Sequence, residues 1–177
     1  VKQVTEIAIN YKENIIGFDI AGPELNYLPS LFIDEFKKLV ENNVNLTIHA
    51  GEGDGVNSIQ EALDNGAKRI GHGVRIIEDI DVETGLFGPT ATHIFENNIP
   101  LEICITSNIH TNMYSDYKDH PIKDLLELNF PVTINTDNRL MSNTNILKEI
   151  TIAENLNITN ANKLLEKSAS YSFLNNF

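Results

Sequence analysis

The chain has 177 residues, 41% hydrophobic and 21% charged, which is the composition of a globular domain with its own core and not of a disordered segment. Thirteen Lys and Arg against 25 Asp and Glu give a formal net charge of -12, the wrong sign for a nucleic-acid or anionic-membrane surface. A single cysteine, Cys104, excludes an internal disulfide and a thiolate-rich metal site, including the zinc pattern H-x-E with P-C-x-x-C.

No apolar run of about 18 residues and no basic-then-apolar leader is present, so the cytoplasm is the expected compartment. The first residue is Val1 and not Met, which points to truncation, processing or a partial chain. Along the chain, five short β-branched runs predict strands at 15–20, 44–49, 68–71, 100–105 and 131–136. Their starts lie 29, 24, 32 and 31 residues apart, the length of a β-loop-α-loop unit. Nearly continuous apolar strands fit a parallel sheet covered on both faces. Between them, Leu31, Phe32, Phe36, Leu39 and Val40 recur at helical spacing after Pro29-Ser30. Ser58 and Glu61 have capping-box spacing, and 88–98, 143–156 and 160–171 read as further helices.

Alternating β and α units allow a doubly wound open sheet or a (β/α)8 barrel. Five strands in a chain shorter than the roughly 250 residues of a full barrel lean toward the open sheet. The polar residues reverse that lean. The first strand carries Asp19 and runs into Ala21-Gly22-Pro23-Glu24; the second ends in His49-Ala50-Gly51-Glu52 and the third in Gly71-His72-Gly73. The fourth passes through Glu102 and Cys104 to Ser107-Asn108, and the fifth ends in Asn135-Thr136-Asp137-Asn138. Each has a structural explanation: a hydrogen-bonded His, an Asp capping the next helix, a turn glycine, an edge Glu. All five together converge, because the carboxyl ends of parallel strands share one face, where sites are built.

The residue types suit hydrolysis at zinc. Such a site takes imidazole and carboxylate ligands and leaves a position open for water, whose pKa the metal lowers. His49 and Asp137 are suitable ligands, Glu52 a suitable acid and His72 a suitable orienting base.

FDIAGPE (18–24), HAGE (49–52), RIGHGV (69–74), LEICITSN (101–108) and INTDN (134–138) resemble, in order and spacing, the motifs of the adenosine deaminases, and NTDNRLMSNT (135–144) resembles the bacterial branch. Weaker similarity continues to SASYSFL (168–174). The resemblance implies a zinc-dependent TIM-type (β/α)8 barrel that converts adenosine and 2'-deoxyadenosine to inosine products and ammonia. It implies zinc ligation by His49 and Asp137, proton donation to purine N1 by Glu52, and positioning and deprotonation of the attacking water by His72. Gly22 would contact the purine through its backbone, and Asp19 would lie in or just behind the substrate pocket. Asn138 stands where many members carry a second Asp, so its purine contact would differ, since an amide donates as well as accepts.

The family's H-x-H, which supplies two further ligands, has no counterpart. The five histidines are 49, 72, 93, 110 and 120, with His93 in a helical stretch and His110 and His120 in a polar loop. The chain therefore reads as one domain over 1–177, the carboxy-terminal portion of the barrel (about strands four to eight), whose missing partner is the amino-terminal half. Alone it is expected to be inactive, to bind zinc weakly or not at all, and to self-associate through exposed edges. Adenine deaminase and aminodeoxyfutalosine deaminase share similar motifs, and a non-catalytic remnant acting as a binding protein is an alternative from another class. A nucleotide-binding open sheet lacks support, because G-x-G-x-x-G and P-loop motifs are absent.

Overall fold

The computed structural model describes residues 1–174. Its strands are β1 (Phe18–Ile20), β2 (Leu46–Ala50), β3 (Arg69–His72), β4 (Ile80–Asp81), β5 (Leu86–Phe87), β6 (Leu101–Ile103) and β7 (Val132–Ile134). Strands β1, β2, β3, β6 and β7 form one parallel sheet in that spatial order, and β4 pairs antiparallel with β5 in a small hairpin. Successive strands of the sheet are neighbours throughout. A doubly wound sheet reverses its order at a switch point, and this one does not, so the architecture is an arc of a (β/α)8 barrel.

The register divides the sheet into two unlike faces. Ile48 lies opposite Ile70, Ile70 opposite Leu101, and Leu101 opposite Val132, so one face is a continuous apolar band. The next row is His49, Gly71, Glu102 and Thr133, and beside it stand Asp19, Thr47 and Arg69. Side chains alternate along a strand, so these polar groups share the other face. One face packs in the core, and the other carries the polar groups.

The helices are α1 (Lys2–Asn10), α2 (Ile33–Glu41), α3 (Val56–Asp64), α4 (Pro89–Glu96), α5 (Ile105–His110), α6 (Ile122–Glu127), α7 (Arg139–Ser142), α8 (Ile146–Asn155) and α9 (Lys163–Ser170). Phe36 and Leu39 of α2, Ile59 and Ala62 of α3, and Ile94 of α4 are buried with the apolar row of the sheet. Phe130 anchors the far end against Phe87 and Phe95, at centroid distances of 5.1 and 5.7 Å. Full burial of such a side chain contributes about 1.5–3 kcal/mol.

Three boundaries differ from expectation. Helix α3 starts after Gly55, which puts Ser58 inside the helix, buried and without a hydrogen-bond partner, while Glu61 accepts from the Ser30 N–H; the capping box does not form. The segment 143–156 does not make one helix, because Asn143 turns left-handed and Asn145 caps α8 by accepting from the Lys148 N–H. Residue 105 opens α5 and does not extend β6, so His110 ends a short helix, whereas the polar stretch was read as loop.

Among the described residues ten non-glycine residues have positive φ, and eight are Asn, including Asn43, Asn98, Asn129 and Asn157 just past helix ends. Asn tolerates the left-handed conformation that closes a helix. The other two are His72 and Asp137. No helix of the described residues is long and apolar enough to cross a membrane.

Candidate active site

The carboxyl edge of the sheet gathers the expected residues. His49 is the fourth residue of β2 and His72 the last of β3. Their rings meet edge to face with centroids 4.9 Å apart. Gly71 makes room for this: a Cβ there would lie 3.0 Å from Cγ of His49 and closer still to the ring edge. The glycine of the G-H-G motif is therefore a slot for the neighbouring imidazole. His72 is 2% exposed and held at φ 60°, a conformation uncommon for a residue with a Cβ and typical of functional positions. Burial lowers the His72 pKa, against the opposing pull of Glu52.

Glu52 projects from the loop after β2, and its Oε1 is 3.5 Å from His72 Nδ1. Asn108, fully buried on α5, donates from Nδ2 to that same oxygen at 3.1 Å and lies 3.3 Å from His72 Nδ1. The loop is gripped from behind by Glu24, which accepts the backbone N–H groups of Gly51, Glu52 and Gly53 at 2.5, 2.9 and 2.6 Å. Three donors on one carboxylate fix the loop in a single shape.

Asp137 follows β7 at φ 52°, and its Oδ2 accepts from the Ser107 hydroxyl at 2.7 Å. Asn138 accepts the N–H groups of Leu140 and Met141, at 3.1 Å each, as the N-cap of α7. Its oxygen is thereby committed, leaving the amide N–H2 for any other contact. Asp19 sits 3.8 Å from His49 Nε2, and partial burial raises its pKa while His49 and Arg69 lower it. Glu102, read as a possible edge residue, pairs instead with Arg69 on the inner face, and burial raises its pKa. Gly22, at φ 129° with open space where a Cβ would stand, lines a cleft of about 270 Å³ with Ile20, Glu24, Tyr27, Phe36 and His49.

His49 and Asp137 are donors of the kinds zinc accepts. Among the described residues, however, no group of three or more His, Cys, Asp or Glu is placed to hold a metal. The donors fit zinc in kind, and they are two. His93 and His110 are exposed, and His120 is buried against Asn108, so none of them adds a ligand.

Residues 1–175 match the adenosine deaminase family. The chain belongs to that family. It is 44% identical over 154 residues to the adenosine deaminase of Mycobacterium leprae, covering 84% of this chain and 42% of the relative. It is 46% identical over 152 residues to adenosine deaminase 1 of Streptomyces coelicolor, covering 83% and 38%. The chain thus spans about two fifths of the length of these relatives. Among solved structures, adenine deaminase from Arthrobacter aurescens superposes with a TM-score of 0.86 at 23% identity, over 98% of this chain and 52% of the other. A zinc-bound amidohydrolase from B. ambifaria gives 0.81 at 19%, over 99% and 49%. These structural likenesses establish the fold, an arc covering half a barrel.

Sequence motifs assign no role to four residues of the site: Glu24, Ser107, Asn108 and His120. The first three stood inside recognised motifs, and His120 did not. Their partners lie 27, 30, 56 and 12 residues away along the chain, beyond any local pattern.

Proposed function

We propose that this chain is the proton-transfer portion, about strands four to eight, of a zinc-dependent adenosine deaminase. The complete protein hydrolyses the 6-amino group of adenosine and 2'-deoxyadenosine, releasing ammonia and inosine or 2'-deoxyinosine. The observation that carries this reading is the meeting of Glu52 and His72 beside His49 at one sheet edge. The identity of 42–46% to relatives named adenosine deaminase supports the substrate.

Each residue then has a task. Glu52 gives a proton to purine N1, which makes C6 electrophilic. His72, beside Glu52 and the Asn108 amide, orients the attacking water and takes its proton. The C6–O bond forms, the proton passes to the amino group, and the C6–N bond breaks with ammonia leaving. Gly22, without a Cβ, lets the purine approach the backbone, with Asp19 behind it and the Asn138 amide facing the ring as a donor. His49 and Asp137 would hold zinc together with ligands from the remainder of the protein, and the bound metal would supply Lewis-acid activation of the water.

β1 and β7, the outer strands of the arc, are the edges on which the rest of the barrel would build. The test is a rate measurement, following the absorbance change from adenosine to inosine. The complete zinc-loaded protein turns over adenosine and 2'-deoxyadenosine, while the 177 residues alone do not. Turnover of adenine alone overturns the substrate assignment, and a normal rate from the 177 residues overturns the partial-barrel reading.

A further inference from the structure

His120 takes no part in the reaction above, yet it is 4% exposed and covered by the Tyr114 ring at a centroid distance of 5.1 Å. Its hydrogen bonds define its tautomer. The backbone N–H of Ile122 donates to Nδ1 at 3.2 Å, so Nδ1 holds the lone pair and the neutral ring carries its hydrogen on Nε2. Burial depresses the ring to a pKa of about 4, so the neutral form prevails near neutral pH. Nε2–H then donates to Asn108 Oδ1 at 3.2 Å.

An amide whose oxygen is taken from one side must present its N–H2 on the other. There, Asn108 Nδ2 is 3.1 Å from Glu52 Oε1. His72 Nδ1 at 3.5 Å and the Thr111 hydroxyl at 3.3 Å face the same oxygen. The amide N–H donates to Oε1, so a protonated Glu52 holds its hydrogen on Oε2.

We propose that Asn108 and His120 are positioning residues that decide which oxygen of Glu52 carries the catalytic proton, a role that deepens the deaminase reading and rests on it. If the amide flipped, its oxygen would oppose Oε1. The carboxyl group would then have to point its hydrogen at Asn108, away from a substrate. The Ile122 N–H prevents the flip through two linked side chains, from a point three hydrogen bonds behind the acid.

The experiment uses the complete zinc-loaded enzyme with His120→Leu and His120→Gln. Glutamine can accept from the Ile122 N–H and donate to Asn108; leucine can do neither. His120→Leu lowers kcat about 10- to 100-fold, part of what an acid–base group contributes, with KM within about two-fold. It also moves the Glu52 limb of the pH profile upward, since the ionised carboxylate loses a fixed donor. Beside Glu52, the ionisable groups acting on His72 are His49, Asp137 and Glu24, all unchanged in both variants. His120→Gln restores most of kcat and returns the limb.

An unchanged kcat and pH profile in His120→Leu overturns the proposal, as does equal loss in both variants with the limb unmoved. Nitrogen NMR of His120 in the wild-type 177-residue chain reads the tautomer without any activity: Nε2–H is expected, and Nδ1–H overturns the proposal. A wild-type enzyme that does not deaminate adenosine overturns the functional reading instead, and leaves that NMR result standing.

Discussion

The two sides of the site are built differently. On the proposed proton-transfer side, Glu52, His72, Asn108 and His120 are linked through hydrogen-bonding contacts, His72 and Asn108 are buried, and Glu24 clamps the loop beneath. On the ligand side, Asp137 and Asn138 are exposed, Leu140 and Met141 beyond them are 93% and 80% exposed, and His49 faces one half-exposed carboxylate. A group that moves protons needs fixed neighbours within hydrogen-bond reach, and this chain supplies them from its own loops. A metal site needs donors from several directions, and this arc of sheet supplies two.

That contrast can be broken at graded cost. Glu52→Gln in the complete zinc-loaded enzyme keeps the shape and removes the acid, and is expected to lower kcat by about 10²–10⁴-fold. A loss under ten-fold would mean that the better-built side does not carry the chemistry.

Glu24→Ala strands three backbone N–H groups. At roughly 1–3 kcal/mol for each unsatisfied buried group, a loss of about 3 kcal/mol is expected, read as a lowered midpoint in urea.

His120 is expected to shape the acid side of stability. Its pKa falls from 6.5 to about 4 on folding, so its contribution is complete above 6.5 and is lost as pH drops through about 4. The difference corresponds to at most about 3 kcal/mol, and His120→Gln is expected to flatten the decline in unfolding free energy between those pH values.

On the ligand side the effects are smaller. Asn138→Ala removes the cap of a four-residue helix and is expected to cost about 1 kcal/mol. Adding zinc to the 177 residues is expected to leave the unfolding midpoint unmoved, since stabilisation grows with ligand concentration over Kd. A clear rise would show that two donors suffice and would erase the contrast between the two sides.

How much of this was readable before folding differs by residue. His49, Glu52, His72 and Asp137 stood in short motifs at strand ends, where β-branched runs stop and glycines begin, and the structure brings His49, Glu52 and His72 together. Alternating β and α units serve both an open sheet and a barrel, and only the polar strand ends and the motifs pointed to the barrel. The sequential order of β1, β2, β3, β6 and β7 decided it. The Ser58–Glu61 capping pattern misled because the helix that buries Ile59, Ala62 and Leu63 has its N-cap at Gly55, three residues before the cap signal.

The sequence by itself determined the period of the units, the apolar runs that become strands, and the residue types at their carboxyl ends. Those are properties of contiguous residues, and chain chemistry dictates them locally. The tertiary structure alone decided that Gly71 is a slot for His49, that Glu24 grips the loop carrying Glu52, and that His120 sets the amide of Asn108. Each of these joins residues from different strands or loops, and only the assembled sheet with its packed helices and loops brings them into contact.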